Sequence, residues 1–283
     1  MKVKHLTSVL FTCLVLIVSS TAFAETNGEF SYDNYAAVLK KHVNEEGVVD
    51  YKGLKENREK LDDFAAELAT LKLETFEAWT DAQKVALWIN AYNALTLQAI
   101  INHYPIKPRL FGGLLYPDNS IRQIPGVWDR VTFPVMGTKV TLDGIEHDTL
   151  RAKFNEPRIH MALVCAAMGC PPLRREPYRG DDLDAQLDDQ TRRFLKNPKQ
   201  FRIEPIEGRV YLSSIFKWFG QDFVKTYGTD ENLKGHSERE RAVLNFISKY
   251  ADNKIADFLR TSDYEIGYLD YDWSLNEQKD ENG

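Results

Sequence analysis

The stretch TDAQKVALWINAYNALTLQAIINHYP, from Thr80 to Pro105, most limits what this chain can fold into. Thr80 followed three places later by Gln83 reads as a capping box, with each side chain serving the other residue's backbone N–H. Val85, Trp88, Ile89, Tyr92, Leu95 and Ala99 then recur at three- and four-residue intervals, and Pro105 ends the run because proline cannot continue a helix. The spacing predicts a helix from Asp81 to about His103. Its apolar face is wide and aromatic, so other elements must wrap most of its sides. A central, largely buried helix is expected.

Other segments fit around it. Ser31 to Val43 and Glu56 to Leu71 show helical spacing. VWDRVTFPVMGTKVTL (127–142) predicts two strands around Met136-Gly137-Thr138. Asp143 then opens a helix, IEHDTLRAKF, in which Glu146 takes the position of a capping glutamate. Ile159 to Cys165 is short and almost continuously apolar, which reads as a buried strand. Asp181 to Lys196 is an amphipathic helix, and QFRIEPIEGRVYLS is a second hairpin turning at Glu207-Gly208. Ile215 to Tyr227 is an aromatic helix stopped by Gly228, whose Phe216, Trp218, Phe219 and Phe223 read as core. Ser237 and Glu240 cap a helix reaching Tyr250, and YEIGYLDYDW is a last strand-like segment. Strands are scattered among helices, so the expected architecture is one helix-rich α+β domain with a small, mostly antiparallel sheet. Pro105 to Gly126 is long for a structureless connection and is expected to be a functional loop.

The ends point to export. MKVKHLTSVLFTCLVLIVSSTAFAET carries lysines at its start, an apolar stretch from Leu6 to Val18 and the small-x-small site Ala22-Phe23-Ala24. Residues 1–24 therefore read as a signal peptide, and the stretch is too short to span a bilayer comfortably. Cys13 would leave with it. The domain would run over 25–276, followed by the polar tail EQKDENG (277–283), expected to be disordered. No later run is long enough for a stable membrane span. The formal charge of −6 becomes more negative once Lys2 and Lys4 are removed, and no basic block is present. Nucleic acid is a poor partner for such a chain. The expected location is periplasmic or secreted, an oxidising setting in which disulfides persist.

That setting bears on RIHMALVCAAMGCPPL (158–173), where Cys165 and Cys170 stand five positions apart. Three chemistries fit the spacing. A Cys165–Cys170 disulfide is geometrically accessible. A zinc site would need further ligands, for which His147 and His160 are the candidates. A catalytic thiolate needs a base and a group to hold that base. In that third case Cys165 is the nucleophile, exposed where a strand gives way to a turn of small residues whose N–H groups can receive an oxyanion. His147 is the candidate base, and Glu146 or Asn93 the candidate orienter. No cofactor is required. His160, mid-strand, reads as a packing residue. Asn90 and Asn93 have an alternative reading as partners of loop backbone. Arg174 and Arg175 read as a solvated pair that could also hold an anion.

LWINAYNALTL (87–97), IEHDTLR (145–151), RIHMALVCAAMGCPPLR (158–174), YLSSIFKWFGQDF (211–223) and YDWSLN (271–276), with GVVDYKGL (47–54) before them, resemble the family catalogued as domain of unknown function 547, in its bacterial exported branch. The resemblance implies which residues matter rather than what they do. In the family's plant branch a cysteine stands at the place of Cys165, a serine at that of Cys170, a histidine matches His147 and none matches His160. It thus implies a Cys165/His147 pair in preference to an obligatory bridge. Some members have been likened to papain-type thiol hydrolases, which implies a papain-like form of the fold by analogy alone. Glycine is common after the cysteine in the family, and this chain has Ala166-Ala167 instead. The resulting expectation is a thiol-dependent hydrolase or acyltransferase acting on an amide or ester of a peptide or envelope polymer. The alternatives are a non-catalytic envelope binding protein with a Cys165–Cys170 disulfide, or a zinc-binding protein.

Overall fold

Helix α5 (Asp81–His103) starts as the sequence requires: the Thr80 hydroxyl accepts the Gln83 N–H at 3.3 Å, and the Gln83 side chain accepts the Thr80 N–H at 3.0 Å. Every residue from Val85 to Leu97 is buried, polar ones included, so the helix is enclosed rather than amphipathic. A computed structural model of the chain describes residues 30–109, 115–228, 233 and 235–279. The expected signal peptide (1–24) and part of the 105–126 loop lie outside those residues.

One side of α5 is covered by α1 (Asp33–His42), α2 (Tyr51–Glu56), α3 (Glu59–Thr70) and α4 (Leu73–Glu77). Tyr35 of α1 stacks on Phe64 of α3 with centroids 4.9 Å apart. The hairpin of β1 (Phe133–Val135) and β2 (Thr138–Val140) joins this layer. Its two turn residues, Met136 and Gly137, have φ of 49° and 72°, as a two-residue turn that follows strand twist demands. Their N–H groups donate to Leu68 and Ala69 of α3 at 2.8 and 3.0 Å.

On the other side lie α6 (Leu183–Leu195), α7 (Ser214–Tyr227), α8 (Glu238–Tyr250) and α9 (Asn253–Thr261), with a sheet of β3 (Phe201–Glu204), β4 (Arg209–Leu212) and β5 (Glu265–Tyr268). Strand β4 pairs antiparallel with β3 and parallel with β5. Phe194, Phe216, Phe223 and Phe246 pack ring to ring between these helices. Burying each such side chain contributes about 1.5–3 kcal/mol. The fold is helix-rich α+β, with two small sheets in place of one.

Three expectations need correction. The helix expected over 56–71 is broken at Asn57-Arg58, because Asp50 caps a separate helix α2 through the Gly53 N–H at 2.8 Å. Helices α4 and α9 were not foreseen. The apolar run 159–165 is no strand: Pro157–Met161 form a 3₁₀ turn, and irregular backbone follows. Its inner polar groups are met by a side chain of α5 instead of a ladder. At the C-terminus, the Gln278 N–H donates to Val49 at 2.9 Å and its amide to His42 and Val48 at 3.1 and 3.0 Å. The start of the expected tail is thus pinned to the first loop.

Candidate active site

Asn90 and Asn93, one turn apart on α5, fix the two ends of the thiol segment. Asn93 donates to the Ala162 carbonyl at 3.0 Å and accepts the Val164 N–H at 2.8 Å. Asn90 does the same for Tyr178, at 2.8 and 2.9 Å. Both asparagines are buried, and unpaired backbone groups at that depth would cost about 1–3 kcal/mol each. Asn93 spends its amide on the segment carrying Cys165, not on a histidine. It positions the thiol from behind.

Between these clamps the chain makes a tight turn. Ala166, directly after Cys165, has φ of +61°, the left-handed region that an L-side chain occupies only at a cost. The C-terminal segment straps the turn down: Met168 and Gly169 donate to the Ser274 and Asp272 carbonyls at 2.8 Å, and Asn276 donates to that of Ala166 at 3.2 Å. Gly169 is required there, since a Cβ would stand 2.9 Å from the Tyr271 ring. Among the described residues, the Ala166 N–H has no backbone acceptor, while the Ala167 N–H is directed at the Cys170 sulfur.

The turn brings the thiols together without a bridge. Cys165 Sγ and Cys170 Sγ are 2.7 Å apart, and the Tyr271 hydroxyl reaches both, at 3.2 and 3.1 Å. The Cys165 N–H also donates to Cys170 Sγ at 3.0 Å. Burial pushes the Cys170 thiol up, yet hydrogen bonds from the Cys165 thiol, Tyr271 and the backbone bring it below its ordinary value. Cys165 is held well above its own, first by its hydrogen bond to Cys170 and then by burial. The two sulfurs titrate as a unit: one proton leaves readily, the other is shared and retained.

Both thiols line a cavity of about 400 Å³, together with Glu146, His147 and His160. Glu146 and His147 sit on a π-helical turn, Gly144–Arg151, a winding often found at functional sites. Asp143 makes no side-chain cap there, and Glu146 does not serve the cap expected of it. Its carboxylate meets the Tyr92 hydroxyl instead, and burial foremost holds Tyr92 far above the usual tyrosine range. His147 Nδ1 accepts from Arg151 at 2.8 Å, and its Nε2 lies 3.8 Å from Asp143. Arginine can only donate, so the proton of a neutral His147 sits on Nε2 and the lone pair of Nδ1 is already engaged. As arranged, His147 is poorly placed to take a proton from a thiol.

His160 is the better-prepared imidazole, and sequence reasoning assigned it to packing. Its Nε2 meets Asp222 Oδ2 at 2.8 Å, and its ring stacks on Phe219 with centroids 4.3 Å apart. Arg151 grips Asp222 through two bonds of 2.6 and 3.0 Å. Burial alone would raise Asp222, but the His160 and Arg151 contacts outweigh it and keep the carboxyl well below the usual range. A carboxylate that stays ionised fixes the proton of His160 on Nε2 and leaves Nδ1 as its lone-pair nitrogen. Asp222 and Tyr271 were also missed. One available signal was an acid beside the apolar stripe of α7, since a half-buried carboxylate among aromatic residues needs a partner.

The remaining candidates are otherwise occupied. Arg174 bonds Glu176 and Asp189, each at 2.6 Å, and Arg175 pairs with Glu45. Trp218 and Phe219 line the cavity, and Phe219 packs against the core as well. Among the described residues, no group of three or more His, Cys, Asp or Glu side chains is arranged to hold a metal ion.

No curated protein and no solved structure matches the chain. A family model described as "Protein of unknown function, DUF547" matches residues 76–195. That span includes the phrases at 87–97, 145–151 and 158–174, while those at 47–54, 211–223 and 271–276 lie outside it. Over the stretch that holds Asn93, Glu146, His147, His160 and both thiols, the chain resembles the DUF547 family.

Proposed function

We propose that this is an exported thiol-dependent hydrolase or acyltransferase acting on an amide or ester of a peptide or envelope polymer. Cys165 is its nucleophile, His160 its base and Asp222 the group that holds the base. The observation that carries the reading is the 2.8 Å His160–Asp222 contact in the wall of the cavity that Cys165 lines. In the first step the Cys165 proton passes to His160 Nδ1 while sulfur bonds to the carbonyl carbon. The oxyanion is received by the N–H of Ala166, in the turn directly after the nucleophile. The intermediate collapses by breaking the C–N or C–O bond, and His160 returns the proton to the leaving group. Water or an acceptor nucleophile then releases the thioester. His147, expected as base, is here a neighbour that Arg151 links to the Asp222 pair.

The test uses p-nitrophenyl acetate on the reduced protein, with peptide mass mapping of the acetyl group. Acetylation is expected at Cys165 and should depend on His160 as base, because the thiol is held above its ordinary value and does not ionise readily unaided. His160→Gln should slow it by about a hundredfold or more, the usual worth of a general base, and His147→Gln by much less. Acetylation of Cys165 at an unchanged rate in His160→Gln would refute the assignment.

A second reading is favoured by the 2.7 Å sulfur separation: an external disulfide oxidises the pair to a bridge, and the chain is a non-catalytic envelope protein binding its partner in the cavity. Intact mass separates the two. A loss of two hydrogens that reduction reverses, with no acetyl-enzyme afterwards, supports the bridge.

A further inference from the structure

The loop ahead of the hairpin supplies Arg122, which the proposed chemistry does not use. It sits on a single 3₁₀ turn, Ile121–Gln123, capped by Ser120. The turn is anchored by the buried Gln123, whose amide bonds the Tyr116 and Pro117 carbonyls at 3.3 and 3.2 Å. The Arg122 guanidinium lies over three rings: Tyr116 at 4.5 Å, Trp273 at 4.6 Å and Trp128 at 5.6 Å. One N–H donates to the Tyr116 hydroxyl at 2.8 Å. No carboxylate among the described residues forms a salt bridge with it.

Ring faces stabilise a cation through its flat sides, whereas a guanidinium binds acids along its edge, in the plane of its N–H fork. The three rings surround Arg122 without neutralising its charge, and one of its five donors is spent on Tyr116. Its other donors have no acceptor among the described residues, and Arg122 lines the thiol cavity. A planar monoanion fits that edge. A dianionic phosphate fits worse, since Asp129, Asp143 and Glu146 line the same cavity.

The C-terminal strap relates this cation to the thiols. Tyr271 touches both sulfurs through its hydroxyl, and Trp273, two residues on, lies against Arg122; the two rings are 4.6 Å apart. An anion on Arg122 is thus two aromatic rings from the nucleophile. We infer that Arg122 is a carboxylate-binding subsite, and that the substrate is a peptide-class amide or ester whose free carboxylate stands several bonds from the carbonyl attacked. The inference rests on the acyl-transfer reading for its meaning, but the subsite can be tested without catalysis.

N-Acetyl-alanyl-alanine and its C-terminal amide are the probes, titrated against tryptophan fluorescence, since Trp128 and Trp273 flank the guanidinium. The free acid should bind at least about tenfold more tightly than the amide, as expected for a charge-assisted bidentate contact. Arg122→Gln should abolish the preference. Arg122→Lys, which keeps a cation over the rings and guards against a folding artefact, should reduce it severalfold because an ammonium lacks the fork. Cys165→Ser should leave it intact, so loss of the catalytic reading alone would not disturb this result. Equal binding of acid and amide, binding of neither at millimolar concentration, or a preference that survives Arg122→Gln would overturn the subsite.

Discussion

Helix α7 carries two aromatic faces that look alike in sequence and differ in what they touch. Phe216 and Phe223 turn inward, and Phe223 meets Phe246 edge-on at 4.8 Å with no exposed surface. Trp218 and Phe219 turn toward the cavity, where their neighbours are polar: Tyr271 bonded to the thiols, and His160 bonded to Asp222. The inner rings fill space. The outer rings set the orientation of groups that can react. Aromatic content alone therefore says little about role; the polar partner of each ring decides it.

The comparison breaks most visibly in stability. Phe223→Ala should cost about 3–5 kcal/mol, the usual price of emptying an aromatic site in a closed core. Trp218→Ala, at a residue 47% exposed, should cost about 1 kcal/mol or less. Urea unfolding of the reduced protein measures both. Equal losses would mean that the cavity wall is core after all.

Asn93→Ala gives an intermediate effect. It leaves the Ala162 carbonyl and the Val164 N–H buried and unpaired, a loss of about 2–4 kcal/mol. It should also change the pH dependence of Cys165 alkylation, because the segment that aims the thiol loses its clamp. A variant as stable as the parent would show that this backbone finds other partners, and that the thiol turn is held by its C-terminal strap alone.

Asn93 also explains what sequence could and could not reveal. The ends of α5 and α8 were legible because their capping boxes are local: Ser237 and Glu240, like Thr80 and Gln83, lie three residues apart. The hairpin at Met136-Gly137 was legible for the same reason. The run 159–165 was not, since a short apolar segment fits a strand or a buried turn equally, and the residue that settles it lies about seventy positions earlier. The site shows the same limit. Both thiols and Glu146 were singled out from nearby residues, Glu146 for holding His147 although it meets Tyr92, whereas Asp222 meets His160 across 62 positions and Tyr271 reaches Cys165 across 106. The π-helical winding around His147 was hidden too, because Asp143 and Glu146 have ordinary capping spacing.

The smallest effect is the sharpest test of the thiol turn. Ala166 and Ala91 are buried to the same degree, at 1% and 0% exposure, but Ala91 lies inside α5 and Ala166 at φ +61°. Ala→Gly removes the same methyl group from each, about 0.8 kcal/mol of burial, and adds the same flexibility to the unfolded chain. In α5 these losses stand alone, so Ala91→Gly should destabilise by about 2 kcal/mol. At position 166 glycine also relieves a left-handed conformation worth roughly 1–2 kcal/mol, so the net change should fall within about 1 kcal/mol of zero. The difference between the two substitutions measures the strain stored beside Cys165. If both cost the same, the turn holds none, and the rigidity of the thiol site must come from its hydrogen bonds to α5 and to the C-terminal strap.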